Sequence, residues 1–155
     1  MKISELMSKV ALVVQSDVSV ARMAQLFAKH QISGAPVIDH EGHLVGVVSL
    51  SDLAKSSKAA QKHHADYYLN ASWGDVHWHH DEAETLKVSD IMTHTIISAE
   101  VDDDIERAAD LLVNHGIHRV VITRGKQVAG VITTSDLVKE FRRRLRSEKE
   151  APVGE

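Results

Sequence analysis

The sequence predicts a mixed α/β fold built from two copies of one β-α-β-β-α unit. The first observation is an internal repeat, in which residues 3–8 return as 88–93 and residues 46–53 return as 130–137. The second is that each copy holds a stretch of apolar residues with the period of a helix. The third is a pair of short β-rich runs on either side of a turn in each copy. Self-similarity on this scale indicates two related structural units.

The composition limits the classes of function. Of the 155 residues, 43% are hydrophobic and 26% are charged, as in ordinary globular proteins. The absence of cysteine excludes disulfides, thiolate nucleophiles and cysteine-ligated zinc. A formal net charge of -4 does not favour nucleic acid as a partner. No apolar run approaches the ~20 residues of a membrane helix, and Glu5 argues against a signal peptide, so we expect a cytoplasmic protein with no membrane partner.

The first helix of each copy is predicted from apolar residues at positions i, i+3, i+4 and i+7. These residues are Val20, Met23, Ala24 and Phe27 in the first copy, and Ile105, Ala108, Ala109 and Leu112 in the second. Ser19 and Asp104 directly precede the two stretches, and their side chains are suited to cap the first turn. We therefore expect capped helices that begin at Val20 and Ile105.

A β-hairpin is predicted after each of these helices. The β-rich runs, turns and second strands are 35–38, 39–42 and 44–49 in the first copy, and 119–123, 124–126 and 127–133 in the second. A second helix begins at the Ser-Asp motif that follows each hairpin. A single unit of this kind leaves an apolar sheet face uncovered, and two copies in one chain can bury those faces.

The repeat divides the chain into four segments. These are the first repeat at 1–55, a histidine- and aromatic-rich insert or linker at 56–87, the second repeat at 88–141, and a basic helix end with a frayed tail at 142–155. The basic residues between 139 and 149 complement the helix dipole, so we interpret them as a solvated face and not as a nucleic-acid site.

The opening and closing motifs of the repeat point to a known family. Each copy opens with (Ile/Val)-Ser-(Glu/Asp)-(Leu/Ile)-Met-(Ser/Thr) and closes with Gly-Val-(Val/Ile)-(Ser/Thr)-x-Ser-Asp-Leu. The pair resembles tandem cystathionine-β-synthase (CBS) domains, a Bateman module. The resemblance implies an intramolecular pseudo-dimer with two clefts for regulatory adenosine ligands such as AMP, ADP, ATP or S-adenosylmethionine. It also implies a stand-alone module that associates as a homodimer and signals to a protein partner, with no required cofactor.

The junction at residues 133–136 has the chemistry that a nucleotide needs. A carboxylate accepts hydrogen bonds from ribose hydroxyls, and hydroxyls at a helix N-terminus bind phosphate. The resemblance assigns the ribose to Asp136 and ribose or phosphate to Thr133, with Ser135 in the same motif. Ser49 and Asp52 hold the matching positions in the first copy. The alternative is that these residues only cap the helix that follows them.

The two copies differ where a phosphate would lie. His118 and Arg119 of the second copy correspond to Ser33 and Gly34 of the first. A guanidinium suits a phosphate and an imidazole adds a proton-dependent contact, so we expect the charged nucleotide at the second copy. The alternative is that Arg119 pairs with a neighbouring acid. Val121 also replaces the family's proline, which is present as Pro36 in the first copy.

Leu12 and Ile97 match family segments whose backbone flanks adenine. The alternative is that they belong to a buried first strand, and the residues themselves do not separate the two interpretations.

The insert offers a different class of function. The chain has 11 histidines, and His77, His79 and His80 lie among carboxylates in this segment. Imidazole and carboxylate ligands suit zinc or nickel, although the spacing matches no established zinc signature. A metal-responsive or interaction protein is therefore the alternative to the nucleotide sensor. An enzyme is not expected, because no nucleophile–base pair, glycine-rich phosphate loop or acidic metal triad is visible.

Overall fold

The computed structural model describes residues 1–10, 12–56 and 86–150. The helices are α1 (Ile3–Leu6), α2 (Val20–His30), α3 (Leu50–Ser56), α4 (Val88–Ile91), α5 (Ile105–His115) and α6 (Thr134–Glu150). The strands are β1 (Val14–Gln15), β2 (Gly34–Ile38), β3 (Leu44–Ser49), β4 (Ser98–Glu100), β5 (Arg119–Arg124) and β6 (Gln127–Thr133). The predicted α/β class and the β-α-β-β-α order of each copy are confirmed.

Each copy forms its own three-stranded sheet. The strand orders are β1-β2-β3 and β4-β5-β6, with the first pair parallel and the second pair antiparallel in both sheets. Val121 pairs with Val131 as Pro36 pairs with Val47, so the loss of the proline leaves the strand register unchanged. Among the helices of the described ranges, none combines the length and the apolar character that crossing a bilayer requires.

The chain folds into two compact units whose bounds differ from those of the repeats. One unit comprises Ala11–Ile96, and the other comprises Met1–Val10 with Ile97–Glu155. Thus the opening segment of each copy belongs to the unit that holds the other copy's sheet. Ser8 and Val131 exchange two backbone hydrogen bonds of 3.0 and 2.9 Å, and Thr93 and Val47 exchange two of 2.8 and 3.0 Å. Each opening segment is therefore attached to the edge strand of its unit, β6 or β3, by an isolated antiparallel bridge.

Glycine permits this close approach. A β-carbon on Gly130 would lie 2.7 Å from the carbonyl oxygen of Ser8, and one on Gly46 would lie 2.7 Å from the sulfur of Met92. Distances below 3.0 Å mean that the opening segment could not keep its place beside a side chain at either position. The glycine that begins each closing motif is thus required by packing.

Each unit has a separate hydrophobic core. The fully buried residues of the first core include Val14, Val20, Met23, Phe27, Val37 and Val48, and those of the second include Ile3, Val101, Ala108, Val120, Ile122 and Ile132. Burial of one large apolar side chain contributes about 1.5–3 kcal/mol. Because Ile3 sits in the core of the second copy and Val88 in that of the first, the opening segments are integral parts of the units.

One of the two predicted side-chain caps is confirmed. Ser19 Oγ accepts a hydrogen bond from the backbone N–H of Arg22 at 3.1 Å. Asp104 occupies the capping position, but its side chain makes no cap hydrogen bond, so that prediction was wrong. Its carboxylate instead pairs with Lys2 Nζ at 3.0 Å, and this hydrogen bond lowers the pKa of Asp104. The Asp104 carboxylate therefore binds the ammonium group of Lys2 in the opening segment instead of a backbone N–H of α5.

Candidate functional site

The strand-to-helix junction of the second copy is a closed hydrogen-bonded box. The backbone N–H and the hydroxyl of Thr133 both donate to Asp136 Oδ2, at 2.9 and 2.7 Å. The backbone N–H of Asp136 donates in return to Thr133 Oγ1 at 3.3 Å. The capping interpretation of these two residues is therefore correct.

The first copy builds the same box with serine in place of threonine. The N–H and hydroxyl of Ser49 donate to Asp52 Oδ2 at 2.8 and 3.0 Å, and the N–H of Asp52 donates to Ser49 Oγ at 3.4 Å. Serine replaces threonine without loss of a contact, because both side chains offer one hydroxyl.

The cap leaves half of each carboxylate available. Within the described ranges, Oδ1 of Asp136 and Oδ1 of Asp52 take part in no hydrogen bond, and both side chains are half-buried. A carboxylate oxygen accepts up to two hydrogen bonds. The cap thus holds each aspartate in one orientation while Oδ1 keeps the capacity to accept two ribose hydroxyls. Capping and ligand binding are compatible roles for the same side chain.

His118 and Arg119 lie beside this box. Arg119 pairs with Thr133 across β5 and β6, and the N–H of Thr134 donates to the carbonyl of His118 at 3.1 Å. Both basic side chains are exposed, as is Ser135. The predicted phosphate-binding cations and the predicted hydroxyls are therefore brought together at one edge of the sheet.

The adenine-flanking candidates lie at the same edges. Ser98 at the start of β4 is opposite Val121 in parallel register, which places Ile97 level with the beginning of β5. Leu12 has the matching position, since Val14 is opposite Val37. Both residues are half-buried and pack against the core of their unit. Neither residue lies within a strand, since β1 begins at Val14 and β4 at Ser98, and their backbone borders the edge where the boxes lie.

The two edges differ in charge. The second carries His118 and Arg119 in front of α6, a helix of 17 residues whose dipole presents positive potential at Thr134. The first carries Ser33 and Gly34 at the start of α3, where the carbonyl of Ser33 accepts a hydrogen bond from Leu50 N at 3.0 Å and neither side chain is basic. The second edge is therefore better suited to an anionic ligand.

One chemical group escaped the prediction from sequence. Ligand atoms of Asp39, Glu41 and His43 converge within 4.8 Å of one another in the first hairpin turn. The alternating pattern Asp-x-Glu-x-His is the sequence signal for this group, whereas the residue types of 39–42 by themselves predict only a turn. The metal candidates His77, His79 and His80 lie outside the described residues.

Comparison with known families decides the classification. A family model described as CBS domain matches residues 3–59 and 88–143. The chain belongs to the CBS domain family. Each matched stretch contains a complete hairpin and one of the two boxes. This CBS domain pair therefore has one candidate binding edge in each copy.

Relatives of this CBS domain pair include short and long proteins. The uncharacterized protein MJ1426 of Methanocaldococcus jannaschii is 32% identical, and the match covers 90% of each chain. An L-aspartate semialdehyde sulfurtransferase of the same organism is 24% identical, but the chain spans only 23% of that protein's length.

Two solved structures share the fold and hold adenosine compounds. The CBS domain pair of protein MJ0100, in complex with 5′-methylthioadenosine and S-adenosyl-L-methionine, has a TM-score of 0.68 and 23% identity, covering 93% of this chain and 98% of that one. CBSX2 in complex with AMP has a TM-score of 0.68 and 24% identity, covering 92% of this chain and 96% of that one.

Proposed function

We propose that this CBS domain pair is a regulatory module that binds an adenosine-containing nucleotide at the edge formed by Thr133, Asp136, His118 and Arg119. One observation carries the proposal: among the described residues Asp136 is anchored through Oδ2 alone, at the N-terminus of a long helix and beside two basic residues. Oδ1 accepts the ribose hydroxyls, and the helix N-terminus receives the phosphate together with the Arg119 guanidinium and the His118 imidazole. The adenosine ligands of CBSX2 and MJ0100 support this ligand class.

The first-copy edge is proposed as the weaker site. Ser49 and Asp52 repeat the ribose-binding geometry, and Leu12 repeats the position beside adenine. Ser33 and Gly34 contribute no side-chain cation, so this edge suits a nucleoside or another ligand with less negative charge. The two edges would then distinguish adenosine compounds by the charge of the group attached to the 5′ carbon.

Regulation requires that the nucleotide bind one conformational state more tightly than another. We infer that this difference is passed on to a protein partner in the cytoplasm, and that the chain itself is not an enzyme. A metal-responsive role of the insert remains the alternative from the sequence, since residues 57–85 lie outside the described ranges.

Thermal unfolding of the full chain tests nucleotide binding. AMP, ADP, ATP and S-adenosylmethionine are added separately, and a ligand at 100 times its Kd stabilises the folded state by about 2.7 kcal/mol. We expect a rise in Tm with at least one phosphorylated compound. If none of the four changes Tm at millimolar concentration, the proposal is wrong.

Asp136→Asn locates the site more sharply than alanine would. The amide oxygen can still accept the cap hydrogen bonds at the Oδ2 position, whereas the amide nitrogen can only donate to a ribose hydroxyl. We expect folding to be retained and the nucleotide effect to be lost. Asp52→Asn is the matched control, because it makes the same change in the same box at the other edge. A nucleotide effect that survives in Asp136→Asn but not in Asp52→Asn would move the site to the first copy.

A second copy of the chain is the proposed partner of α6. Val138, Phe141 and Leu145 follow one another at helical spacing and are 60%, 63% and 42% exposed. An apolar row of this kind on a helix is typical of an interface. Sedimentation of the full chain should show a dimer that Phe141→Glu dissociates. Ser147→Glu, a change on the opposite side of the same helix, is the control, and a monomeric wild-type chain would refute the proposal.

A further inference from the structure

The turn between β2 and β3 brings together three side chains of types that bind metals, those of Asp39, Glu41 and His43. His43 Nδ1 lies 3.2 Å from Glu41 Oε2 and 3.7 Å from Asp39 Oδ2. One imidazole nitrogen and two carboxylate oxygens form a donor set that suits zinc and its divalent neighbours. The three residues lie in one turn, so the set needs no contribution from another element.

The backbone of the turn orients these donors. Asp39 Oδ1 accepts hydrogen bonds from the N–H groups of Glu41 and His43, both at 2.9 Å, which turns Oδ2 towards the imidazole. The N–H of Asp39 donates to the carbonyl of His43 at 2.9 Å, and Gly42, at φ +80°, donates to the carbonyl of Asp39 at 3.1 Å. Asp39 and His43 are therefore held in place before any ligand arrives, as metal ligands generally are by their outer partners.

Charge and hydrogen bonding also favour a cation here. The carboxylates of Asp39 and Glu41 place negative charge on two sides of the imidazole nitrogen. Although His43 Nδ1 is within ion-pair distance of both carboxylates, no hydrogen bond joins it to either one among the described residues. The two carboxylates and the imidazole nitrogen therefore lie close together without hydrogen bonds between them.

The second hairpin shows that the fold does not require this group. β5 and β6 are joined by a shorter turn, with Arg124 and Gln127 as the last pair and Gly125 at φ +61°. That turn contains neither a carboxylate nor an imidazole, and yet it closes the same antiparallel pair. The fold therefore closes a hairpin without the Glu41 carboxylate or the His43 imidazole, whereas Asp39 also shapes its own turn through Oδ1.

We propose that Asp39, Glu41 and His43 form a divalent-cation site, with zinc as the preferred metal and water completing the coordination. The site lies in the turn between β2 and β3, at the opposite end of these strands from the Ser49–Asp52 box. It shares no residue with the proposed nucleotide site or with the histidine-rich insert.

Zinc titration of the untagged full chain, followed by residue-specific NMR, tests the proposal. We expect the amide signals of Glu41, Gly42 and His43 to shift with zinc and to broaden with paramagnetic cobalt. The amides of Gly125 and Lys126 in the second turn serve as the internal reference and should not respond. Because each signal is assigned to a residue, zinc that binds elsewhere in the chain is distinguished by the residues whose signals it shifts.

Variants identify the ligands. Glu41→Gln and His43→Gln each replace one proposed ligand, and we expect each to weaken zinc binding at the turn by at least about 10-fold, since loss of even an outer partner of a metal ligand costs that much. His40→Gln is the matched control, since His40 is in the same turn but faces Asp17 at 3.7 Å. The proposal is overturned if the Gly42 signal is unmoved by millimolar zinc, or if it responds equally in wild type and His43→Gln.

Discussion

Gly130→Ala should detach the opening segment from the second copy's sheet. The added β-carbon would lie 2.7 Å from the carbonyl oxygen of Ser8 and 2.9 Å from the sulfur of Met7. The Met7 side chain can rotate away, but the Ser8 carbonyl is backbone and can move only together with the opening segment. Gly130 does not have a positive φ, so alanine is compatible with the backbone there and the cost is steric.

The magnitude follows from what the movement breaks. Ser8 and Val131 exchange two hydrogen bonds, each with a net contribution of about 1 kcal/mol. If the segment stays in place, the alternative is an overpacked contact that costs about 1–3 kcal/mol. We therefore expect the free energy of unfolding to fall by about 2–3 kcal/mol, which lowers Tm by roughly 4–12 °C in a protein of this size.

Urea unfolding measures the loss, and hydrogen exchange at the Ser8 and Val131 amides locates it. Both amides should exchange faster in Gly130→Ala. Met7→Ala in the Gly130→Ala background should restore only part of the stability, because it relieves the contact with sulfur but not the one with the Ser8 carbonyl. An unchanged free energy together with unchanged protection of Ser8 would refute the reasoning.

Two further predictions concern helix ends and acid stability. Gln31 after α2 and Gly116 after α5 both adopt left-handed backbone conformations, at φ 52° and 59°, which favour glycine. Gln31→Gly should therefore stabilise the protein by about 1 kcal/mol, and Gly116→Ala should destabilise it. Urea unfolding measures both changes. Hydrogen bonds from Arg143 and Arg144 lower the pKa of Glu140 from 4.5 to about 2. The stabilisation by this carboxylate is present above pH 4.5 and lost as pH falls towards 2, so Glu140→Gln should flatten the dependence of Tm on pH in that window. An equal acid-induced fall in Tm for both proteins would contradict this assignment.

Local patterns were sufficient to predict most of the secondary structure. The strands at 44–49 and 127–133 and the helix starts at Val20 and Ile105 agree with the structure because each is encoded by neighbouring residues. The Ser49–Asp52 and Thr133–Asp136 boxes were also predictable, since capping links residues three apart. The family resemblance grouped His118 and Arg119 with the second box. The register of β5 and β6 gives the physical reason, because it places Arg119 opposite Thr133.

Other features depend on residues that are distant in the sequence. Asp104 had the right residue type for a cap, but Lys2 takes its carboxylate, and no local pattern brings these residues together. The donor group at Asp39, Glu41 and His43 depends on a turn geometry in which Gly42 adopts a positive φ. Whether three alternating side chains converge or point apart is decided by that geometry.

The sequence by itself determined the repeat, the element order, the family and the residues of both capping boxes, because these depend on short-range patterns. Only the tertiary structure decided that each opening segment packs into the unit of the other copy. That arrangement rests on two backbone hydrogen bonds at each sheet edge and on the space left by Gly46 and Gly130. The pairing is decided by contacts between residues that are far apart in the chain, and local sequence patterns do not contain them.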